Sequence, residues 1–241
     1  MRILHQSELA TVVLGDATDP AVIDAAPTYD LLCTDPPYGV RWQSGNRADR
    51  FPELVGDDGS LDVPAVLGAW VRRLRDCRHV YVFGYRPDQL AEPMRLGGTS
   101  TLIWDKGQIN GGDLRLPWAP GHEPITFGVY VPSQAARAKG FGNLAARLRR
   151  STVVEVPRLN GRQVNRHPTE KPVALMRQLV ESSSLPGEIV LDPFAGCGST
   201  LVAAVLEGRR AYGVEVDERY ATTAVERVKR AEAIARMIIT A

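Results

Sequence analysis

The sequence predicts an α/β fold built on a mainly parallel sheet that is covered by helices on both faces. Short apolar runs closed by turn residues alternate with segments of helical spacing, which is the pattern of consecutive strand–helix units. Two unusual turns each follow such a run directly. In an open sheet of this kind ligands bind beyond the carboxyl ends of the strands, so these turns indicate the site.

The strands and helices follow from the pattern in chain order. Apolar runs predict seven strands, at 10–14, 29–34, 79–84, 101–105, 124–131, 188–192 and 211–216. The runs at 101–105 and 124–131 have no helical segment between them, so we expect them to be antiparallel neighbours. Helical spacing predicts helices over 61–77, 171–183 and 199–208, and a last helix from Asp217 toward Met237. The prediction is therefore a seven-stranded sheet with one antiparallel strand.

The composition is that of an ordinary globular protein. Of 241 residues, 44% are hydrophobic and 24% are charged, which is enough to bury a core as a single domain over 1–241. The three cysteines, Cys33, Cys77 and Cys197, contain no CxxC pair, which argues against a disulfide framework and a structural zinc site. No run approaches the roughly 20 apolar residues of a membrane span, and the start lacks a signal-peptide pattern. We expect a cytoplasmic protein without membrane contact or a metal site.

Positive charge is concentrated in one segment. Between Ser133 and Lys171, nine basic residues face two acidic ones, a net charge of +7 in a chain whose total is +1. This indicates a polyanion partner, with a solvated loop that binds nothing as the alternative. The basic residues before Lys171 are Arg137, Lys139, Arg147, Arg149, Arg150, Arg158, Arg162 and Arg166.

The first unusual turn is Asp35-Pro36-Pro37-Tyr38, directly after the predicted strand at 29–34. Two prolines fix φ and remove two hydrogen-bond donors, so the turn is stiff. It presents a carboxylate, the Pro36 carbonyl and an aromatic ring within one short span. A rigid turn with Asp35 as a cap and Tyr38 as a packing residue is the alternative. A polar loop over 39–60, predicted to be mobile, follows.

The second unusual turn runs from Asp192 to Thr200, between a strand and a helix. Gly196 and Gly198 let a ligand approach the backbone, and the helix N-terminus favours an anionic group. The turn lacks the third glycine of GxGxxG and the lysine of a P-loop, so a nucleoside cofactor with a small carboxylate fits best. Glu215 ends the next strand, 19 residues after Gly196, where a carboxylate can accept both ribose hydroxyls.

Together these motifs resemble the S-adenosylmethionine-dependent amino-methyltransferases of DNA. Asp35-Pro36-Pro37-Tyr38 resembles their catalytic motif, and Phe194-Ala195-Gly196-Cys197-Gly198 resembles their cofactor loop. His167-Pro168-Thr169-Glu170-Lys171-Pro172 is similar to the segment before that loop, Gly15-Asp16 to the acidic turn near the cofactor adenine, and His122-Glu123 to a recurring pair. The catalytic turn comes first, the basic segment next and the cofactor loop last, which is the circularly permuted order of the β group.

The resemblance implies a Rossmann-like methyltransferase fold, S-adenosylmethionine as cofactor and catalysis at Asp35, Pro36, Pro37 and Tyr38. The residues that it implies for cofactor binding are Asp16, Asp35, His167, Thr169, Lys171, Asp192, Phe194, Gly196, Gly198, Ser199, Thr200 and Glu215. The basic segment, 133–166, stands where the family keeps its target-recognition region, so its basic residues are expected to bind double-stranded DNA. The segment is short, and whether a second subunit or a cognate restriction endonuclease takes part stays open.

The implied chemistry matches what an amino group needs. The lone pair of an exocyclic amine is delocalised into the base, so two acceptors at its N–H groups would aim that pair at the methyl group. The Asp35 carboxylate and the Pro36 carbonyl are two such acceptors, and Asp35 can take or relay the proton. The base must be flipped out of the duplex, and stacking on Tyr38 would offset part of that cost.

Several alternatives stay open at this stage. The acidic first residue of the catalytic turn favours adenine N6 as the target over cytosine N4. An RNA or protein N-methyltransferase and a non-catalytic nucleic-acid-binding relative are the other readings. Trp104 is predicted to be a core residue, Cys197 a small residue that fills its turn, and Trp42 and Trp118 either stack on bases or pack.

Overall fold

The computed structural model describes residues 1–39, 58–107, 117–138, 150–159 and 170–239. The strands are β1 (Arg2–Gln6), β2 (Ala10–Leu14), β3 (Tyr29–Thr34), β4 (Leu74–Phe83), β5 (Leu96–Asp105), β6 (His122–Tyr130), β7 (Val153–Glu155), β8 (Ile189–Asp192) and β9 (Arg210–Glu215). The helices are α1 (Pro20–Ala25), α2 (Val63–Trp70), α3 (Pro87–Leu90), α4 (Gln134–Ala138), α5 (Val173–Ser183), α6 (Ser199–Leu206) and α7 (Glu218–Ile239).

The described strands form one sheet of nine strands in the order β1-β2-β9-β8-β3-β4-β6-β5-β7. The neighbours from β2 to β4 are paired in parallel, and so are β5 and β7. β6 is antiparallel to both β4 and β5, and β1 is antiparallel to β2. Among the described strands, therefore, β1 and β6 run against all the others.

The α/β class and the mainly parallel sheet agree with the prediction, but seven strands with one antiparallel strand is wrong. The expected antiparallel neighbours are β5 and β6, and β6 is the predicted antiparallel strand. The prediction missed β1 and β7, which lie at the two edges of the sheet. β1 ends in the polar residues His5 and Gln6, and β7 is three residues long. Neither edge strand carries the apolar run that marks a buried strand.

The predicted helix over 61–77 is also wrong in its second half. α2 is capped by Asp62, whose carboxylate accepts from the Ala65 N–H at 3.1 Å, and it ends at Trp70. A short 3-10 turn leads into β4, where Leu74 pairs with Tyr29 of β3. Leu74 lies four residues after Trp70 and is buried. Both a continued helix and a strand would bury Leu74, so the spacing of apolar residues does not distinguish the two structures here.

Two apolar layers enclose the sheet. On one face α5, α6 and α7 pack against the sheet through residues such as Leu175, Leu201 and Val228. On the other face α1, α2 and α3 contribute Val22, Trp70 and Leu90 to a second buried cluster. Within the described ranges, no helix is long and apolar enough to cross a bilayer.

The parallel strands end at one edge of the sheet, which we call the site edge. It is formed by the carboxyl ends of β2, β9, β8, β3 and β4. Because β6 is antiparallel to β4, its first residues lie at the same edge, with Ile125 opposite Phe83. Both unusual turns start there, as the sequence predicts.

At the middle of β4 the buried His79 ties the sheet to α5. Its Nδ1 lies 2.8 Å from the Ser183 Oγ, and the Tyr81 hydroxyl lies 2.7 Å from the same oxygen. The Phe127 ring meets the imidazole edge-on at 5.0 Å. Burial, with the Arg78 charge adding to it, lowers the pKa of His79 from 6.5 to about 4.

We expect His79 to weaken the fold as the pH falls. An unfolded His79 takes up its proton below about pH 6.5 and the folded one does so near pH 4, so protonation between these values favours the unfolded chain. The free energy of unfolding is therefore lower by about 2 kcal/mol at pH 5 than at neutral pH. Urea unfolding of the wild type and of His79→Gln at pH 7 and pH 5 measures it. A stability difference between the two proteins that does not change with pH would contradict this account.

Candidate active site at the carboxyl end of the sheet

The two unusual turns meet because β3 and β8 are neighbours. Leu31 and Leu32 of β3 pair in parallel with Val190 and Leu191 of β8. The Asp35–Tyr38 turn leaves β3, and the loop that leads into α6 leaves β8. Segments 158 residues apart in the chain are therefore joined, with the Thr34 hydroxyl donating to Asp192 Oδ1 at 2.7 Å.

Asp192 organises the loop from inside. One carboxylate oxygen accepts from Thr34 and from the Phe194 N–H at 3.1 Å, and the other accepts from the Thr200 hydroxyl at 2.6 Å. Burial raises the pKa of Asp192 to about 6, although these hydrogen bonds favour its charged form. Asp192 and Thr200, both predicted to bind a cofactor, thus fix the shape of the loop.

The glycines of the loop are required by conformation and by packing. Gly196 and Gly198 have φ of +51° and +83°, and Gly198 is the N-cap of α6. A Cβ on Gly198 would lie 2.9 Å from the Ala224 side chain of α7. Ser199 is buried in the first turn of α6 and Phe194 is half-buried at the front of the loop. Gly198 thus lets the loop turn directly into α6 while α7 packs against it.

Glu215 closes the other side of this loop. It ends β9, and its two carboxylate oxygens accept the Gly196 and Asp217 N–H groups, each at 2.8 Å. Burial raises the pKa of Glu215 to about 7. The end of β2 lies alongside, since the Gly15 N–H donates to the Glu215 carbonyl at 2.9 Å. Asp16, the next residue, is exposed there, so both predicted ribose and adenine contacts stand on one side of the loop.

On the other side, Asp35 belongs to a cluster of charged and polar side chains. Its Oδ2 lies 2.6 Å from the Lys171 ammonium, and its Oδ1 accepts from the Tyr38 hydroxyl. Tyr38 also lies 2.7 Å from Glu123 Oε1, which is 3.0 Å from Lys171. Glu123 Oε2 is 3.1 Å from the ammonium of Lys106. Two carboxylates and two ammonium groups are thus held within one network, which we call the Asp35 cluster.

The cluster shifts proton affinities in opposite directions at its two carboxyl groups. Burial raises the pKa of Asp35, with Lys171 opposing and Glu123 reinforcing that shift. At Glu123 burial acts in the same direction, but Lys171 and Lys106 together outweigh it and lower the pKa. The surroundings therefore favour the protonated form at Asp35 and the charged form at Glu123.

Sequence reasoning assigned no role to Glu123 or Lys106. Glu123 stands at the start of β6, opposite Trp104 of β5, and Lys106 directly follows β5. An antiparallel strand begins at the edge where its parallel neighbours end, so the predicted β5–β6 pairing was the signal that placed them here. Lys171, predicted to bind the cofactor, contacts Asp35, which is another residue of that predicted set.

The position of the Tyr38 ring is fixed by contacts with Gly84 and Tyr85. The peptide of Gly84 lies against it, and the Tyr85 ring packs edge-on at 6.3 Å. Tyr85 in turn donates to the Pro37 carbonyl at 2.7 Å. Pro36 is buried beneath the turn, so the predicted stiffness of this segment has a packing basis.

Arg227 of α7 supports the loop from behind and was not found by sequence reasoning. Its guanidinium donates to the Cys197 carbonyl at 2.7 Å and pairs with Glu170 at 2.8 Å. Both charged side chains are buried, so this pair links the loop to the residue before Lys171. Burial raises the pKa of the Cys197 thiol to about 12, which agrees with its predicted packing role.

The predicted nucleic-acid-binding residues are placed unevenly. Arg158 follows β7 at the site edge, where its N–H reaches the Lys106 carbonyl at 3.4 Å. Arg137 on α4 lies near the amino end of β4, because Cys77 contacts the carbonyl of Ala136. Arg150 pairs with Glu181 of α5. Lys139, Arg147, Arg149, Arg162 and Arg166 lie outside the described residues, and so do His167, Thr169 and most of the 39–60 loop.

The predictions made for the tryptophans also differ in outcome. Trp104 is a core residue, as predicted, and its indole donates to the Val156 carbonyl at 2.7 Å. Trp118, four residues before His122, is 86% exposed, and Trp42 lies outside the described residues. Over the described ranges, the His, Cys, Asp and Glu side chains form no group suited to a metal ion.

Comparison with known proteins connects this site to one family. A family model described as DNA methylase, covering N6 and N4 amino-methyltransferases, matches residues 96–226. The DNA adenine methyltransferase YhdJ of Escherichia coli K12 is 41% identical over 254 aligned positions, which cover 92% of this chain and 83% of that protein. The Escherichia coli K12 protein YubD is 59% identical over 54 residues, which are 22% of this chain and 24% of that protein.

A solved structure has a fold similar to that of this chain. The crystal structure of the M1.HpyAVI–SAM complex superposes with a TM-score of 0.67 at 19% identity, over 91% of this chain and 99% of that one. At this level of identity the likeness concerns the fold, and it extends over nearly all of both chains.

We expect Gly84→Ala to push Tyr38 out of the Asp35 cluster. A Cβ at Gly84 would lie 2.3 Å from the Tyr38 Cε1, and the φ of +74° adds a backbone cost. Gly187→Ala is the matched control, since its φ is +82° and no atom lies within 4 Å of the added Cβ. In both variants the left-handed φ lowers the free energy of unfolding by roughly 1–2 kcal/mol. Urea unfolding should show a larger decrease for Gly84→Ala, because of the contact with Tyr38. An equal decrease in the free energy of unfolding of the two variants would show that Tyr38 accommodates the added methyl group without cost.

Proposed function

Because the chain belongs to the N6/N4 DNA methylase family, we propose that it transfers a methyl group from S-adenosylmethionine to the N6 atom of an adenine in DNA. The observation that carries the proposal is the meeting of the Asp35 turn and the glycine loop on the neighbouring strands β3 and β8. The alignment with an adenine methyltransferase over most of both chains supports adenine as the target rather than cytosine.

The residues around the glycine loop suit the nucleoside cofactor. Glu215 offers a buried carboxylate whose two oxygens each accept one N–H, which leaves lone pairs for two ribose hydroxyls. The left-handed glycines and the N-terminus of α6 leave space and positive potential for the amino-acid carboxylate of the cofactor. Asp16, exposed beside the loop, is the proposed contact for the adenine of the cofactor. When bound, the cofactor supplies a methyl group made electrophilic by its sulfonium.

On the substrate side, Asp35 is the proton acceptor of the proposal. Lys171 holds its Oδ2 at 2.6 Å, and each carboxylate oxygen keeps a further lone pair for the N–H of the target amine. The Pro36 carbonyl accepts the second N–H. Two acceptors on a stiff turn direct the nitrogen lone pair at the methyl group, and Asp35 receives the proton as positive charge develops on nitrogen.

The target base reaches this turn only after it leaves the duplex. The Tyr38 ring, whose position is fixed by Gly84 and Tyr85, is the stacking surface of the proposal. Stacking of this kind contributes roughly 1–3 kcal/mol per base. Arg158, at the site edge, is placed to contact a phosphate of the bound double-stranded DNA, and the rest of the 133–166 segment supplies the target recognition.

We expect the purified protein to label adenine when it is incubated with labelled S-adenosylmethionine and unmethylated duplex DNA. Digestion to nucleosides and mass spectrometry identify the product, and Asp35→Asn, which cannot take up the proton, lowers the rate by roughly 10²–10⁴-fold. N4-methylcytosine as the product would move the proposal to the other branch of the family. An unchanged rate in Asp35→Asn would refute the role given to Asp35.

Binding of the nucleoside part should follow the ionisation of Glu215. The pKa of Glu215 is raised to about 7, and its anionic form is the acceptor for ribose hydroxyls, so affinity rises with pH. We expect binding to become roughly tenfold tighter from pH 6 to pH 8. Calorimetry with 5′-methylthioadenosine avoids the titration of the cofactor amine. Glu215→Gln should bind more weakly and show no pH dependence, whereas an equal pH response in both proteins would exclude Glu215 as its source.

A further inference from the structure

The Asp35 cluster holds two groups that are shared between two carboxylates. The Lys171 ammonium lies 2.6 Å from Asp35 and 3.0 Å from Glu123. The Tyr38 hydroxyl contacts Asp35 and lies 2.7 Å from Glu123 Oε1. A hydroxyl has one proton, so Tyr38 donates to one carboxylate at a time. The hydrogen bond that Tyr38 gives to Glu123 is therefore withdrawn from Asp35, whereas the Lys171 ammonium, which has three N–H groups, contacts both carboxylates at once.

Glu123 is itself fixed from outside. The Lys106 ammonium lies 3.1 Å from its Oε2, the oxygen that faces away from Tyr38. The strand register adds a second restraint, because Glu123 is paired with Trp104 near the end of the β5–β6 ladder. The carboxylate of Glu123 is thus held beside Lys171 and Tyr38.

We propose that Glu123 is a positioning residue that competes with Asp35 for the Tyr38 hydroxyl and places a second negative charge beside the Lys171 ammonium that both contact, and thereby keeps the Asp35 carboxylate basic enough to accept the proton of the substrate amine. The inference rests on the proposed function. In the step concerned, the amine nitrogen forms its bond to the methyl carbon as the carbon–sulfur bond breaks. The N–H bond then breaks, its electron pair stays on nitrogen, and the proton passes to Asp35.

The directions in which the neighbouring groups shift the pKa of Asp35 support this role. Glu123 raises the pKa of Asp35, whereas the Tyr38 hydrogen bond and Lys171 lower it. Asp192 and Cys33 also interact electrostatically with Asp35 from β8 and β3, and they are the same in every variant compared below. Removing the Glu123 charge should therefore make Asp35 a weaker base, and removing the Tyr38 hydroxyl should make it a stronger one.

The test compares Glu123→Gln with Tyr38→Phe, which keeps the aromatic ring. We expect the acid limb of the pH–rate profile to move to lower pH in Glu123→Gln and to higher pH in Tyr38→Phe. The plateau rate of Glu123→Gln falls by roughly tenfold, while cofactor affinity by calorimetry and base flipping by 2-aminopurine fluorescence stay within about twofold of the wild type. Glu92→Gln, which removes an exposed carboxylate, is the control and changes none of these.

A lower plateau with an unmoved acid limb in Glu123→Gln would reduce Glu123 to a structural residue and overturn the proposal. So would limbs that move in the same direction in the two variants. If Glu123→Gln fails to fold, Tyr38→Phe carries the test, and an acid limb that does not move to higher pH in that variant overturns the proposal.

A second readout needs no substrate. Infrared titration of the protein labelled at its aspartate carboxyl carbons identifies the Asp35 band as the one missing in Asp35→Asn. That band should titrate at lower pH in Glu123→Gln and at higher pH in Tyr38→Phe, and an unmoved band contradicts the proposal. A wild type that binds the cofactor but methylates no DNA would refute the proposed function, and this titration would still decide the role of Glu123.

Discussion

The parallel pairing of β3 with β8 is the constraint on which the rest of the site depends. These strands are far apart in the chain, and their adjacent carboxyl ends bring the Asp35 turn beside the glycine loop. The residues that pair, such as Leu31 and Val190, are fully buried, so the register is fixed by apolar packing on both faces of the sheet. At the point where the strands end, Asp192 accepts from Thr34 on one side and Thr200 on the other. A single buried carboxylate therefore sets the distance between the two halves of the site.

Burying Asp35 and Glu123 next to each other is costly, and the two lysines explain how the fold tolerates it. Isolated buried carboxylates repel each other and lose hydration. Lys171 lies between them, and Lys106 compensates Glu123 from the outer side. Tyr38 donates a hydrogen bond without adding charge. The result is a neutral group of four charges whose proton affinities differ by position, and such separation of affinities is typical of sites that handle protons.

The sequence was sufficient for the parts of this site that one continuous segment encodes. The Asp35-Pro36-Pro37-Tyr38 turn, the glycine loop and Glu215 each follow a buried strand, so strand prediction alone puts them at one edge. Lys106 and Arg227 depend on the register between strands or on the facing of a long helix, and no local motif marks them. The His122-Glu123 pair is visible in the sequence, but only the β5–β6 register places Glu123 beside Asp35. The exchange of helix for strand after Trp70 has a similar cause, since burial of Leu74 satisfies both periods and only pairing with Tyr29 decides.

The order of the motifs along the chain has little influence on the site, because the sheet rather than the sequence sets their neighbours. The Asp35 turn precedes the glycine loop by about two thirds of the chain, yet the Asp192–Thr34 hydrogen bond joins them directly. Between them the chain adds β4, β5, β6 and β7 to the sheet, and the antiparallel β6 returns Glu123 to the site edge. A wholly parallel sheet would place the start of that strand at the opposite edge and leave Lys171 with one carboxylate. The antiparallel strand thus supplies the second carboxylate that shares Lys171 and Tyr38 with Asp35.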